Sequence, residues 1–142
     1  MELIWGLVII GLGLLAWGGQ TLSWFAPATA VRLSLADAQD RVDAVFWADG
    51  QGEARWDSVS LWTLPLAGVL LIAGQEAWTW LGLLGGGMYV YFAGRGIFAR
   101  MELRRHGHNI GEPAEVRLGL TALAIWGVAG FITAIAAGVA LA

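Results

Sequence analysis

The segment VSLWTLPLAGVLLIAGQEAWTWLGLLGGGMYVYFAG, residues Val59–Gly94, decides the fold of this chain. Its 36 residues contain one charged side chain, that of Glu76, which follows Gln75. One straight helix of this length would measure about 54 Å, well beyond the roughly 30 Å of a bilayer's hydrocarbon core. The pattern therefore predicts a helical hairpin with arms over about 57–74 and 78–98. Because the first arm is short for a full span, a re-entrant hairpin is the alternative.

Two further apolar segments lie outside this hairpin. No charged residue occurs in Leu3–Phe25 or in Leu118–Ala142, and 58% of all residues are hydrophobic and 13% charged. Soluble domains usually carry about 25% charged residues, so the solvent expected here is lipid. We predict an all-α integral membrane protein, a single domain over residues 1–142 in which four transmembrane helices form a bundle. The expected spans are about 3–25, 57–74, 78–98 and 115–141, with loops over about 26–56 and 99–114.

The basic residues predict how these spans are oriented. The chain has no lysine, and its eight basic residues are arginines that lie in the two loops or at their ends: Arg32, Arg41, Arg55, Arg95, Arg100, Arg104, Arg105 and Arg117. Arginine is enriched in cytoplasmic loops close to the membrane. We therefore expect both loops in the cytoplasm and both termini outside it, in an inner (plasma) membrane of the bacterial type. Signal peptides begin with positive charge, whereas Glu2 is the only early charge, so the first segment is expected to be retained.

The first loop contains apolar residues at helical spacing. They predict a short amphipathic helix over Leu35–Ala48, lying at the cytoplasmic surface, and Asp49–Gly52 then reads as a turn. Interfacial helices usually carry basic side chains that face anionic lipid headgroups, but this segment is acidic. We expect it to pack on the basic second loop instead.

Charged residues also cluster where the second and third spans meet the cytoplasm. Charges at membrane depth are costly unless they are paired, so they are candidates for function. The alternative is that Arg95 extends to the headgroups while nearby carboxylates join two helices. We expect Arg95 to pair with Glu53, Asp57 or Glu102. The predicted interface cluster is Glu53, Arg55, Asp57, Arg95, Arg100 and Glu102.

Small residues recur in the third and fourth predicted spans. At a spacing of four they let helix backbones approach closely, which favours association in lipid. Packing within one chain is the first interpretation, and self-association into a homo-oligomer is the second. The candidate packing residues are Gly82, Gly86, Gly130, Ala134 and Gly138.

The sequence offers little for cofactors or nucleic acid. His106 and His108 are weak candidates for a metal site, because zinc sites need more ligands at defined spacing, and we expect no metal and no cofactor. The chain has no cysteine, and its net charge of −3 gives no basic face for nucleic acid.

Three functions remain open. The first hypothesis is a non-enzymatic polytopic membrane protein that assists assembly of a larger membrane complex or binds a lipophile, and it predicts dry interfaces and satisfied ion pairs. An oligomeric channel or small-solute transporter would need a continuous wet path. An enzyme acting on a lipid at the cytoplasmic interface would need a lateral cleft that holds unpaired carboxylates.

Overall fold

The computed structural model describes residues 1–142, of which 82% are helical and none lies in a β-strand, so the predicted all-α class is confirmed. The helices are α1 (Glu2–Phe25), α2 (Pro27–Arg32), α3 (Ala44–Ser60), α4 (Thr63–Ile72), α5 (Trp78–Arg105) and α6 (Pro113–Leu141). A single 3₁₀ turn, Gln39–Arg41, precedes α3.

Two of these helices, α1 and α6, are long and apolar enough to cross a membrane. Only 22% and 28% of their most apolar stretches is buried within the protein. Large side chains point outward, as with Ile4 at 69% and Phe131 at 59% exposure. Since soluble proteins rarely expose extensive apolar surface, this exterior supports a membrane location. α4 and α5 do not meet the same criteria of length and hydropathy for a membrane span. α4 has only ten residues, and α5 contains glycines and arginines among its apolar residues.

The helices pack side by side. α5 lies between α4 and α6, α1 lies against α3 and α4, and α1 and α6 touch at only a few points. The main core contains Ile9, Leu64, Tyr89 and Phe92. A smaller apolar cluster of Val42, Phe46, Ile110 and Val116 joins the start of α3 to the connection between α5 and α6.

The break between α3 and α4 follows from Pro65. Proline has no amide hydrogen, so it cannot donate to the carbonyl oxygen of Leu61 four residues earlier, and its ring crowds that carbonyl. The helix ends at Ser60 and restarts at Thr63, which puts Pro65 in the first turn of α4, where proline is tolerated. The second predicted span is therefore two helices in sequence.

The predicted amphipathic helix over Leu35–Ala48 is wrong. Residues 33–38 are not helical, and α3 begins only at Ala44. The amide of Asp43 donates to the oxygen of Asn109 at 2.8 Å, and the amide of Asn109 donates to Asp43 Oδ2 at 3.1 Å. These bonds hold Asp43 in an extended conformation, so the helix starts after it.

The predicted turn at Asp49–Gly52 is also wrong, because these residues form the second and third turns of α3. Each glycine in a helix costs about 1 kcal/mol relative to alanine. Burial of Ala54 and the ion pairs that α3 makes with α5 offset this cost. Tertiary contacts here override the local preference of Gly50 and Gly52 for a turn.

The hairpin turn at 74–77 lies where the sequence predicts it, between α4 and α5. Gly74 has φ of +63°, and the amide of Gln75 donates to the oxygen of Leu70 at 2.9 Å. Gly107, with φ of +80°, ends α5 in the same way. Glycine adopts this left-handed conformation without steric cost, which is why it ends helices.

Candidate functional site

Arg95 of α5 joins that helix to α3 through two carboxylates. Its Nη1 donates to Asp49 Oδ2 at 2.9 Å, and its Nη2 donates to Asp49 Oδ1. Nη1 also lies 3.2 Å from Glu53 Oε1, although that oxygen accepts no hydrogen bond of good geometry. Glu53 was one of the three expected partners. Asp49 was missed because the sequence had been interpreted as a turn there.

Asp57 lies one helical turn beyond Glu53 on the same side of α3. The residue is 4% exposed, and its Oδ2 is buried without a hydrogen-bond donor. Buried polar groups are almost always hydrogen-bonded, and a buried carboxylate without a partner is costly. Asp57 is therefore a buried carboxylate without a partner in the protein, so the expectation that the ion pairs of this region are all satisfied is wrong.

Glu53, Asp57 and Arg95 line one pocket of about 200 Å³ between α3 and α5, which we call the α3–α5 pocket. Trp56 and Tyr91 lie at its edge and are 57% and 62% exposed. The pocket thus combines an acidic interior with an aromatic rim on the outer surface of the helices. Its lining residues are Gly52, Glu53, Trp56, Asp57, Tyr91, Phe92 and Arg95.

The buried side of Glu53 affects its protonation. Burial raises the pKa of Glu53 above its ordinary value, and the positive charges of Arg100 and Arg95 offset only part of that rise. Arg95 is shared between Asp49 and Glu53, and it is the one cation at ion-pair distance from either of them. The pocket therefore contains more acidic groups than positive charges.

The other members of the predicted cluster lie elsewhere. The guanidinium of Arg55 lies 5.7 Å from the ring of Trp24, and that of Arg100 lies 5.4 Å from the ring of Phe46. Arg100 also donates to the oxygen of Gly96 at 3.0 Å. Glu102 pairs with an arginine of its own helix at 3.0 Å, on the exposed surface. The six predicted residues therefore form separate groups, of which only Glu53, Asp57 and Arg95 share the pocket.

The two loops pack on each other, as the acidic character of the first predicted. His108 Nδ1 and Asp43 Oδ2 are 3.0 Å apart, and this hydrogen bond is the main reason why the pKa of Asp43 is lowered. The Nδ1 atom of His106 instead lies 2.9 Å from the backbone oxygen of Glu102, in the last turn of α5. The two histidines thus have different partners and do not converge.

Tyr89 is buried completely and reaches both α1 and the break between α3 and α4. Its hydroxyl lies 2.9 Å from the oxygen of Gly13 and 3.1 Å from the oxygen of Leu61, and it has one hydrogen to share between them. The Leu61 oxygen is the acceptor that Pro65 leaves without a helical donor. Tyr91, two residues further along α5, is 62% exposed and does not reach these helices.

The small residues bring α5 and α6 into close contact. A Cβ atom on Gly86 would lie 2.5 Å from the oxygen of Gly130 and 2.8 Å from the nitrogen of Ala134. A Cβ on Gly82 would lie 3.0 Å from Ala137, while one on Gly138 would have ordinary contacts of 3.8 Å. Gly86, Gly130 and Ala134 therefore form the tight part of this interface, and Gly138 is not needed for it.

The backbones of α1 and α4 also approach each other closely, and the sequence analysis did not predict this contact. A Cβ on Gly13 would lie 2.6 Å from Pro65 Cδ, and one on Gly68 would lie 2.8 Å from the oxygen of Gly6. Gly6 and Gly13 are seven residues apart, so a search for pairs at a spacing of four does not find them.

The chain was compared with protein families, curated proteins and solved structures, and nothing matches it significantly in any of the three. The site's own geometry is thus the basis for the function.

Proposed function

We propose that the chain crosses an inner (plasma) membrane four times as a single helical bundle. The spans are α1, the end of α3 together with α4, α5, and α6, with both loops in the cytoplasm. The hydrogen bonds between Asp43 and Asn109 support this arrangement, because they join the two arginine-bearing loops at one end of the bundle. At the other end, Glu2 lines the same surface pocket as Gln75 and Glu76.

Cysteine labelling tests this topology without background, because the chain has no cysteine. Exposed positions in each connection are Gln39, Gln75 and His106. In intact cells an impermeant thiol reagent should label Gln75→Cys and should label Gln39→Cys and His106→Cys only after the membrane is opened. Labelling of Gln39→Cys but not of Gln75→Cys in intact cells would mean that the chain has the opposite orientation in the membrane.

Within this bundle we propose a non-enzymatic function, the binding of a lipophile at the α3–α5 pocket. The observation that carries the proposal is the buried, unpartnered Asp57 in a pocket whose rim, Trp56 and Tyr91, faces outward. A ligand that enters from the bilayer would keep its tail in lipid and bring a polar head to the carboxylates. Aromatic side chains with one apolar and one polar side suit such a boundary.

A lipid-modifying enzyme is the second candidate, since an unpaired carboxylate in a lateral cleft is the feature it requires. Catalysis would further need a nucleophile or a base–orienter pair near the reacting atom. The pocket lining has no serine, threonine or histidine, so the nucleophile or base would have to be Glu53 or Asp57, and no donor reaches Asp57 Oδ2 to orient it. Binding therefore explains more of the site than turnover does.

Photocrosslinking tests the binding proposal. A photoreactive phenylalanine analogue at Trp56 faces the pocket, while the same analogue at Phe131 of α6 is equally exposed, at 59% against 57%, and lies away from it. After irradiation in native membranes, Trp56 should yield a discrete adduct that Phe131 does not. The same adducts at both positions would refute the proposal, and a product that changes mass during incubation would favour the enzyme.

A further inference from the structure

The charge balance of the α3–α5 pocket indicates what kind of head group it accepts. Asp49, Glu53 and Asp57 are spaced by four and so occupy one face of α3, and Arg95 is the only cation at ion-pair distance from any of them. Both terminal nitrogens of Arg95 are bonded to Asp49. Asp57 has no cation of its own, although it is 4% exposed.

A buried carboxylate is stabilised by a proton or by a positive charge, because burial without either costs several kcal/mol. An anionic ligand would add to the excess negative charge. A neutral hydroxyl could donate a hydrogen bond to the Asp57 oxygen, but it would leave the buried negative charge uncompensated. A cation that carries a positive charge to Asp57 compensates the buried negative charge and gives the Asp57 oxygen a partner.

Size and lining restrict this cation further. Pockets for whole drug-sized ligands measure about 300–1,000 Å³, so about 200 Å³ suits a head group and not an entire amphiphile. Three aromatic side chains, those of Trp56, Tyr91 and Phe92, line the same space. Aromatic faces attract alkylated ammonium groups through cation–π interactions.

We propose that the α3–α5 pocket binds the substituted ammonium group of an amphiphile, with its positive charge against Asp57 and its tail passing Trp56 and Tyr91 into the bilayer. This inference rests on the proposed lipophile binding and specifies the charge of the ligand. A cationic amphiphile and the ammonium of a zwitterionic lipid headgroup are the two sources of this chemistry.

Titration calorimetry in dodecyl maltoside micelles tests the inference with three probes of equal chain length. Dodecyltrimethylammonium is cationic, dodecylphosphocholine carries the same ammonium on a zwitterionic headgroup, and dodecanol is neutral. The heat of partition into micelles is common to all protein variants and cancels when variants are compared. Asp57→Asn removes the charge at nearly constant shape, and Asp40→Asn makes the same change at an exposed position of the first loop.

The wild type should bind dodecyltrimethylammonium, and Asp57→Asn should raise its Kd about thirtyfold or more, as expected when one partner of a desolvated charge pair is removed. Asp40→Asn should change the Kd less than about twofold, as for a charge remote from the site. Asp57→Asn should unfold at the wild-type temperature or above, because it removes a buried charge, and Asp57→Ser serves if that variant does not fold. Binding of dodecylphosphocholine as well assigns a lipid headgroup, and its absence assigns a free cationic amphiphile.

Other results overturn the inference in distinguishable ways. If dodecanol binds as tightly as the ammonium and Asp57→Asn retains both, the pocket takes a lipophile but the charge assignment is wrong. Stabilisation by sodium chloride without affinity for the ammonium would indicate an inorganic cation and also refute it. If no probe binds and Trp56 gives no distinct photoadduct, the proposed function itself fails.

Discussion

Replacement of Arg95 by glutamine measures how strongly the contact between α3 and α5 holds the bundle together. Loss of one partner from a buried ion pair costs about 3–5 kcal/mol, and an exposed pair contributes only about 0–1 kcal/mol. The Arg95 side chain is 32% exposed, but that of Glu53 is 8% exposed and would be left without its cation. We therefore expect Arg95→Gln to lower the free energy of unfolding by about 2–3 kcal/mol, between the two limits.

The matched control lies on the same helix. Arg105 pairs with Glu102 at 3.0 Å, but these side chains are 75% and 57% exposed, so Arg105→Gln should cost less than about 1 kcal/mol. Unfolding of purified protein by sodium dodecyl sulfate in mixed micelles, followed by circular dichroism, gives both values. Adding Glu53→Gln to Arg95→Gln removes the stranded carboxylate and should restore part of the loss. Equal stability of the two arginine variants would refute the reasoning.

Three further predictions concern the packing of the bundle and its loops. Tyr89→Phe should lower the free energy of unfolding by about 1–2 kcal/mol, because it removes the hydroxyl that donates to buried carbonyl oxygens. Tyr91→Phe, on the exposed rim of the pocket, should leave that free energy unchanged in the same unfolding assay. Gly86→Leu should destabilise the protein by more than about 2 kcal/mol, whereas Gly87→Leu, where a Cβ meets nothing within 4 Å, should be nearly neutral in thermal unfolding. The folded-state pKa of Asp43 lies below its ordinary value of 3.8, so loop docking should be strongest above that pH and should weaken as the pH falls through the folded-state pKa. Because pepsin itself is more active at low pH, cleavage between α5 and α6 is compared between the wild type and Asp43→Asn at each pH. The variant should be cleaved faster than the wild type above the folded-state pKa of Asp43 and at a similar rate below it, and a ratio of the two rates that does not change with pH would contradict the assignment.

The fold could be predicted from sequence where one local signal dominated. The apolar length of 59–94 requires a reversal of the chain, and Gly74 supplies the conformation that the reversal needs. The start of α3 could not be predicted, because it depends on Asn109, which lies 66 residues from Asp43 in sequence. Glycines at 50 and 52 carry a strong local turn signal, which contacts with α5 override.

The candidate site was also predicted only in part, because a local signal identified some of its residues and not others. Glu53, Asp57 and Arg95 were selected because charges close to an apolar span are costly. Asp49 could have been found with them, since it continues the spacing of four. That spacing has meaning only on a continuous helix, however, and the assumed turn concealed it. Arg55, Arg100 and Glu102 met the same charge criterion but point to other partners, and side-chain direction cannot be obtained without the helix phase.

Pro65 explains why a pocket exists beside Asp57 at all. Without Pro65, residues 44–72 would be able to continue as a single helix. Because Pro65 cannot donate to Leu61, the helix breaks, and only α4 packs closely on α5, while α3 lies mainly against α1. The hydroxyl of Tyr89 lies within hydrogen-bond distance of the oxygen left free at the break. The divergence of α3 from α5 leaves a gap next to the break, and Arg95 bridges it only at Asp49 and Glu53. Asp57, between this bridge and the break, is therefore buried by the surrounding helices and yet is left without a protein cation.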